Sequence, residues 1–222
     1  MKPSKIIFIR HGESEGNVDH TTYFNKPDYS IELTPKGIQQ AKNVGKELAL
    51  DLGKKKFSTY ISPYFRTRRT WKFIKQSLSE DNICREEETP LIREQEWNTG
   101  VQRHEIDHER ERYKVGAFYY RFPHGESCAD CYNRAAAFFL DLFENNQEDC
   151  AENVVVVSHG MMIRILVMRL LKLTVEEFEK LRNPKNCEKI VLIYKADGNY
   201  ALEKPMMERL ALPHNFTYVD EI

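Results

Sequence analysis

A chain of 222 residues, 41% hydrophobic and 30% charged, can build one sizeable core. Its 33 basic and 34 acidic residues leave a net charge of -1, which excludes the basic surface of a nucleic-acid binder or an anionic-membrane binder. Any anion site must therefore be local. No apolar run approaches the roughly 20 residues of a membrane span, and Lys2 to Ile9 is too short for a secretory core. The 5 cysteines are scattered and odd in number, so no disulfide framework is expected and a reducing cytoplasm fits best.

Lys5 to Ile9 is an apolar, β-branched run that reads as a strand buried on both faces, and it leads into Arg10-His11-Gly12-Glu13-Ser14. Thr34 and Pro35 start a helix, with an apolar stripe at Ile38, Ala41, Val44, Leu48 and Leu52. Phe57 to Ser62 reads as the second strand. Pro63 opens the next helix, carrying Trp71, Ile74 and Leu78. Leu91 and Ile92 suggest a short edge strand. Residues 98–122 are the least regular and most charged stretch, an expected insertion over the sheet. Ser127 and Asp130 form a capping-box pattern for a helix to about Asn145. Val154 to Val157 is a second buried strand, ending in Ser158-His159-Gly160, and a helix is expected from Gly160 to Lys172. Thr174 and Glu177 repeat the capping pattern, Glu188 to Tyr194 reads as the last core strand, and Asp197-Gly198-Asn199 is a turn. Residues 205–222 carry no assignable pattern. Strands alternating with helices predict parallel βαβ units in one α/β domain spanning 1–222. The expected architecture is a three-layer α/β/α sandwich with a mostly parallel sheet and the charged insertion, about 98–122, over the site.

Ligands in such sheets bind outside the carboxyl ends of the strands. Two buried strands deliver His11 and His159 there, so both imidazoles can share one site. Arg10 adjoins His11, and Arg66 lies on the first turn of the helix after a third strand. Planar guanidinium groups clamp phosphate bidentately, and a helix opening at Gly160 presents free N–H groups. The set suits one dianion. A neutral histidine can attack phosphorus, and neighbouring Arg⁺ favours the neutral form. The leaving alkoxide then needs a proton. Glu94 is the candidate acid, with Glu96 its competitor in the same segment.

Arg10-His11-Gly12-Glu13-Ser14 with Asn17 resembles the N-terminal signature of the histidine phosphatase superfamily, which includes cofactor-dependent phosphoglycerate mutases. Ser62-Pro63 with Arg66, Arg69 and Thr70 resembles a second block, Gly125-Glu126-Ser127 a third, and Ser158-His159-Gly160 with Arg164 a fourth. The resemblance implies that His11 is the phosphorylated nucleophile. It implies that Arg10, Arg66 and His159 hold the phosphoryl group and that Glu94 is the acid and later the base. Asn17 would line the phosphate pocket and Gly160 would offer its N–H. Ser14 could touch phosphate, and Trp97 is either a packing residue or a substrate wall.

Known mutases of this family carry paired arginines and a double proline in the insertion. Here Glu109 to Lys114 and Tyr119 to Pro123 have neither. Arg93-Glu94-Gln95-Glu96-Trp97 and Tyr120-Arg121-Phe122-Pro123 instead resemble a fungal and plant branch of phosphoglycerate-mutase-like phosphatases. The expected function is a metal-independent, cofactor-free phosphatase acting on a phosphorylated small molecule, with a phosphoprotein as a further candidate substrate. A phosphoglycerate mutase is the first alternative, and a non-catalytic phosphate-binding module the second. Neither nucleic acid nor membrane is an expected partner. His104-Glu105-Ile106-Asp107-His108 matches a zinc-protease spacing, but its charged flanks favour a solvated helix face. Cys128 and Cys131 have redox spacing without a preceding strand and read as two ordinary thiols. Arg68 is expected in solvent, Arg164 beside a carboxylate, and Asn186 in a turn.

Overall fold

β-branched and aromatic residues dominate the segments that pair into the central sheet, and charge marks its edge. The computed structural model describes residues 2–97, 108–145 and 152–203. Its strands are β1 (Lys5–Arg10), β2 (Phe57–Ile61), β3 (Ile83–Glu88), β4 (Asn153–Ser158), β5 (Lys189–Tyr194) and β6 (Tyr200–Leu202). Among the described residues they form one sheet in the order β3-β2-β4-β1-β5-β6. The first four are mutually parallel, while β5 runs antiparallel to β1 and β6 antiparallel to β5. The helices are α1 (Glu15–Val18), α2 (Thr22–Asn25), α3 (Pro35–Leu52), α4 (Phe65–Lys75), α5 (His108–Val115), α6 (Cys128–Asn145), α7 (Gly160–Leu171) and α8 (Val175–Glu179).

The period of two along each strand divides the core. Ile7, Ile9, Val155 and Val157 pack with Ala41, Val44 and Leu48 of α3 and with Trp71 and Ile74 of α4. Ile6, Phe8, Val154 and Val156 pack on the opposite side with Phe138, Leu142, Met162 and Leu166, from α6 and α7. The result is the three-layer α/β/α sandwich. The apolar side chains of β1 and β4 are fully buried, each contributing about 1.5–3 kcal/mol.

The edge of the sheet corrects the sequence reading. Leu91 and Ile92 lie in a 3-10 turn, Pro90–Ile92, and the edge strand is β3. Its sequence, Ile-Cys-Arg-Glu-Glu-Glu, alternates half-buried and exposed positions, a charged pattern that protects an open edge. The helix after Pro63 begins at Phe65 with Tyr64 as N-cap and ends at Lys75, so Leu78 packs on the core from beyond it. Lys172 is the left-handed cap of α7. Both capping boxes form: Thr174 Oγ1 accepts from Glu177 N at 3.2 Å, and Ser127 Oγ accepts from Asp130 N at 3.2 Å. Residues 98–107 of the expected insertion, the tail from 204, and most of the His104–His108 motif lie outside the described residues.

Two glycines let the loop after β1 lie on the start of α3. A Cβ on Gly37 would stand 2.0 Å from the Glu13 carbonyl oxygen, and one on Gly12 2.5 Å from the Gly37 carbonyl oxygen. Backbone cannot yield as a flexible side chain does. Gly37→Ala is expected to destabilise the fold by about 1–3 kcal/mol despite alanine's better helix propensity. Urea denaturation checks this, and an unchanged or higher midpoint would contradict it.

Candidate active site

The register of the parallel strands places the site. Ile9 and Ile61 both pair with Val157, and Arg10 pairs with Ser158, so β1, β2 and β4 end level. The chain keeps this alignment one residue further: His11 N donates to Ser158 O at 3.0 Å, and Ser62 N to Val157 O at 3.0 Å. His11, Ser62 and His159 therefore emerge side by side at the carboxyl edge. The two imidazole centroids are 5.3 Å apart at 62°.

His11 is almost completely buried. Its Nδ1 lies 2.7 Å from the Gly12 carbonyl oxygen. A carbonyl only accepts, so Nδ1 carries the proton and Nε2 keeps its lone pair. Burial first, then the charges of Arg66 and Arg10, hold its pKa well below 6.5. The ring is thus neutral with a free ring nitrogen. His159 is fully buried, and its pKa is also held well below 6.5, by burial first and then by Arg66. Its Nε2 is 2.7 Å from Ser62 Oγ, while its Nδ1 has no hydrogen-bond partner. If the serine hydroxyl donates to Nε2, the remaining proton sits on Nδ1, ready for an anion. Tyr64 walls this ring at 5.0 Å and stacks on Arg66 at 4.9 Å.

Arg66 is only 2% exposed. Its Nη1 donates to both the backbone O and the Oδ1 of Asp28 at 2.7 Å. Asp28 lies in a 3-10 turn within the segment between α2 and α3, and nothing local in the sequence marks it as a partner 38 residues from Arg66. Arg10 donates from Nη1 to Pro184 O at 2.7 Å. The Nε atoms of Arg10 and Arg66 are both buried without a hydrogen-bond partner, which leaves two cationic donors unpaired. Buried donors of this kind call for an anion.

Asn17 is oriented by three donors. Ser14 N, Ser14 Oγ and Asn186 Nδ2 approach its Oδ1 at 3.1, 3.2 and 3.0 Å. That assigns Oδ1 as the acceptor and leaves the Nδ2 hydrogens for a ligand. Ser14 thus orients Asn17. Asn186 ties Asn17 to the backbone as well, donating to His11 O at 3.1 Å. A Cβ on Gly160 would sit 3.5 Å from Arg10 Nε, so the first residue of α7 borders the arginine.

Glu94 accepts through Oε1 from Met162 N at 3.2 Å and from Gln95 N at 3.0 Å, so it faces the first turn of α7. Burial raises its pKa above 4.5, while Arg66 and Arg10 pull it back. A buried carboxyl with a raised pKa beside two arginines is suited to deliver a proton. Trp97 makes its ring contacts elsewhere, with Phe122 at 5.0 Å and under Arg112 at 5.5 Å.

The remaining sequence candidates fall outside this cluster. Arg68 pairs with Glu88 at 2.9 Å, half exposed. Arg164 takes no carboxylate in the contacts described. It donates to Phe178 O at 3.1 Å and stacks on that ring at 4.7 Å, where burial lowers its pKa to about 10. Cys128 and Cys131 are free, buried thiols, and burial pushes Cys128 up to about 11. His108 Nδ1 lies 2.8 Å from Tyr120 Oη. Among the described residues there is no cluster that could hold a metal ion, and no helix is long and apolar enough to cross a membrane.

A sheet edge that gathers two imidazoles held neutral, two arginines and a buried carboxyl suits an anion such as phosphate. The model of the histidine phosphatase superfamily (branch 1) matches residues 6–204, and the chain belongs to that family. It is 37% identical over 216 residues to a phosphoglycerate mutase-like protein of Arabidopsis thaliana, covering 91% of this chain and 68% of the relative. It is 28% identical over 285 residues to the broad-range acid phosphatase of Saccharomyces cerevisiae, covering 86% of this chain and 85% of that one. Among solved structures it resembles a mycobacterial glucosyl-3-phosphoglycerate phosphatase with VO3, at a TM-score of 0.70 and 22% identity, over 90% of this chain and 97% of the other.

Proposed function

We propose that the protein hydrolyses phosphate monoesters of small molecules through a phosphohistidine on His11, with no metal ion. The observation that carries this is the Nδ1 contact with the Gly12 carbonyl, which leaves a neutral Nε2 lone pair among phosphate-seeking arginines. Nε2 attacks phosphorus as the ester P–O bond breaks, and Glu94 gives its proton to the departing oxygen. Arg10, Arg66, Asn17 and His159 carry the charge on the equatorial oxygens, and Gly160 adds its N–H. Glu94, now a carboxylate, takes a proton from water as it attacks phosphorus. The P–N bond breaks, inorganic phosphate leaves, and neutral His11 is restored. The arginines supply the charge stabilisation that a metal supplies elsewhere.

The pH dependence follows from the two shifts. His11 must be neutral, and its lowered pKa keeps it so well below pH 6.5. Glu94 must be protonated, and its raised pKa extends that state above pH 4.5. kcat/KM therefore falls toward alkali as Glu94 ionises, and toward acid only once His11 takes up a proton, well below pH 6.5. Phosphate release across pH from a panel of esters tests this, with 2,3-bisphosphoglycerate included and isomerised product scored beside free phosphate. An alkaline optimum would contradict the assignments of His11 and Glu94, and isomerisation outrunning hydrolysis would make the protein a mutase.

A further inference from the structure

The segment that bears Glu94 has no regular secondary structure after the Pro90–Ile92 turn, yet its carbonyl groups are held one after another. Arg134, on the second turn of α6, donates from Nη1 to Leu91 O at 2.8 Å and Arg93 O at 3.2 Å, and from Nη2 to Glu94 O at 3.3 Å. Ser158 Oγ takes the remaining Ile92 O at 2.8 Å. The guanidinium is itself fixed by a fork onto Glu126, with Nε–Oε1 and Nη2–Oε2 both 2.9 Å. Glu126 completes the brace: its Oε2 accepts from Glu96 N at 3.1 Å, and its own N donates to Glu96 O at 2.9 Å. Both side chains of the pair are largely buried, at 13% and 14% exposure.

We propose that Arg134, locked to Glu126, is a positioning residue for the reaction: it fixes the backbone of 91–96 so that the Glu94 carboxyl is presented at the leaving oxygen. The inference rests on Glu94 being the acid, as proposed above. A planar, five-donor fork is the group that can bind a carboxylate on one edge and several carbonyls on the other. Lysine at 134 supplies charge without that geometry. Displacing an acid by about 1 Å is enough to weaken catalysis.

The test is a leaving-group series, from 2,4-dinitrophenyl phosphate to a primary alkyl phosphate, read as kcat/KM. Expulsion of dinitrophenolate needs no proton, whereas the alkoxide needs one. Glu94→Gln is expected to lose about 10²- to 10⁴-fold in kcat/KM on the alkyl ester and little on the dinitrophenyl ester, because kcat/KM reports only the steps up to transfer of the phosphoryl group to the enzyme. Arg134→Met should show the same selectivity in kcat/KM at about 10- to 100-fold. Arg134→Lys should restore only part of the loss. The double variant Glu94→Gln/Arg134→Met should be no slower than Glu94→Gln, because Arg134 acts through Glu94. Equal loss on every ester, no loss, or additive loss in the double variant would overturn the proposal. If Glu94→Gln itself lacks leaving-group dependence, the acid assignment falls first. Should Arg134→Met fail to fold, Glu126→Gln weakens the same fork with little change of shape and carries the same comparison, with the same outcomes.

Discussion

His11→Ala is expected to reduce kcat for phosphate monoesters by on the order of 10⁵-fold while leaving phosphate binding largely intact. The proposed nucleophile goes, and with it the proposed two-step route. The groups proposed to hold the anion stay, because Arg10, Arg66 and Asn17 are anchored by Pro184, Asp28 and Ser14 rather than by the His11 side chain. Burial lowers the pKa of both imidazoles, but only His11 has its Nδ1 proton fixed on a carbonyl. His159, tied to Ser62 through Nε2, is not placed to substitute. Stopped-flow release of p-nitrophenol with a phosphate-binding isotherm separates the two effects. Substantial turnover by the variant would remove the nucleophile from His11.

Arg66→Met is expected to cost about 10²- to 10³-fold in kcat and to destabilise the fold as well. Arg66 and Asp28 form a buried pair, 2% and 8% exposed as side chains. Removing the cation strands a buried carboxylate, which costs about 3–5 kcal/mol. Asp28→Asn separates the two effects. It keeps the Arg66 charge and the bond to the Asp28 backbone oxygen, so about tenfold of activity is expected to be lost, through orientation alone. Urea denaturation beside steady-state kinetics on both variants checks the ordering. An Arg66→Met enzyme as active as wild type would exclude Arg66 from the phosphoryl site.

Much of the fold and half of the site can be read in the chain because buried parallel strands advertise themselves. Val154 to Val157 has no polar interruption, since both faces of β4 are covered, and the residues after such a run fall at the ligand edge. The same logic points to Arg10, His11 and His159 as candidates, and the next helix to Arg66, and all four lie at the carboxyl end of the sheet. β3 was hidden because an edge strand can carry charge, and Ile83 to Glu88 looks like surface. Asp28, Ser62, Asn186 and Arg134 reach partners 38 to 175 residues away, which no local pattern encodes. Glu94 can be picked out of the sequence as a candidate acid. Its proton affinity cannot, because that comes from burial against α7 and from the opposing pull of Arg66.

The sharpest test is a rapid alkaline quench of the enzyme during turnover of a ³²P-labelled monoester, followed by peptide mapping. The account predicts base-stable, acid-labile label on the peptide bearing His11 and on no other. Label on a serine or aspartate peptide, or none at all during steady hydrolysis, would contradict it.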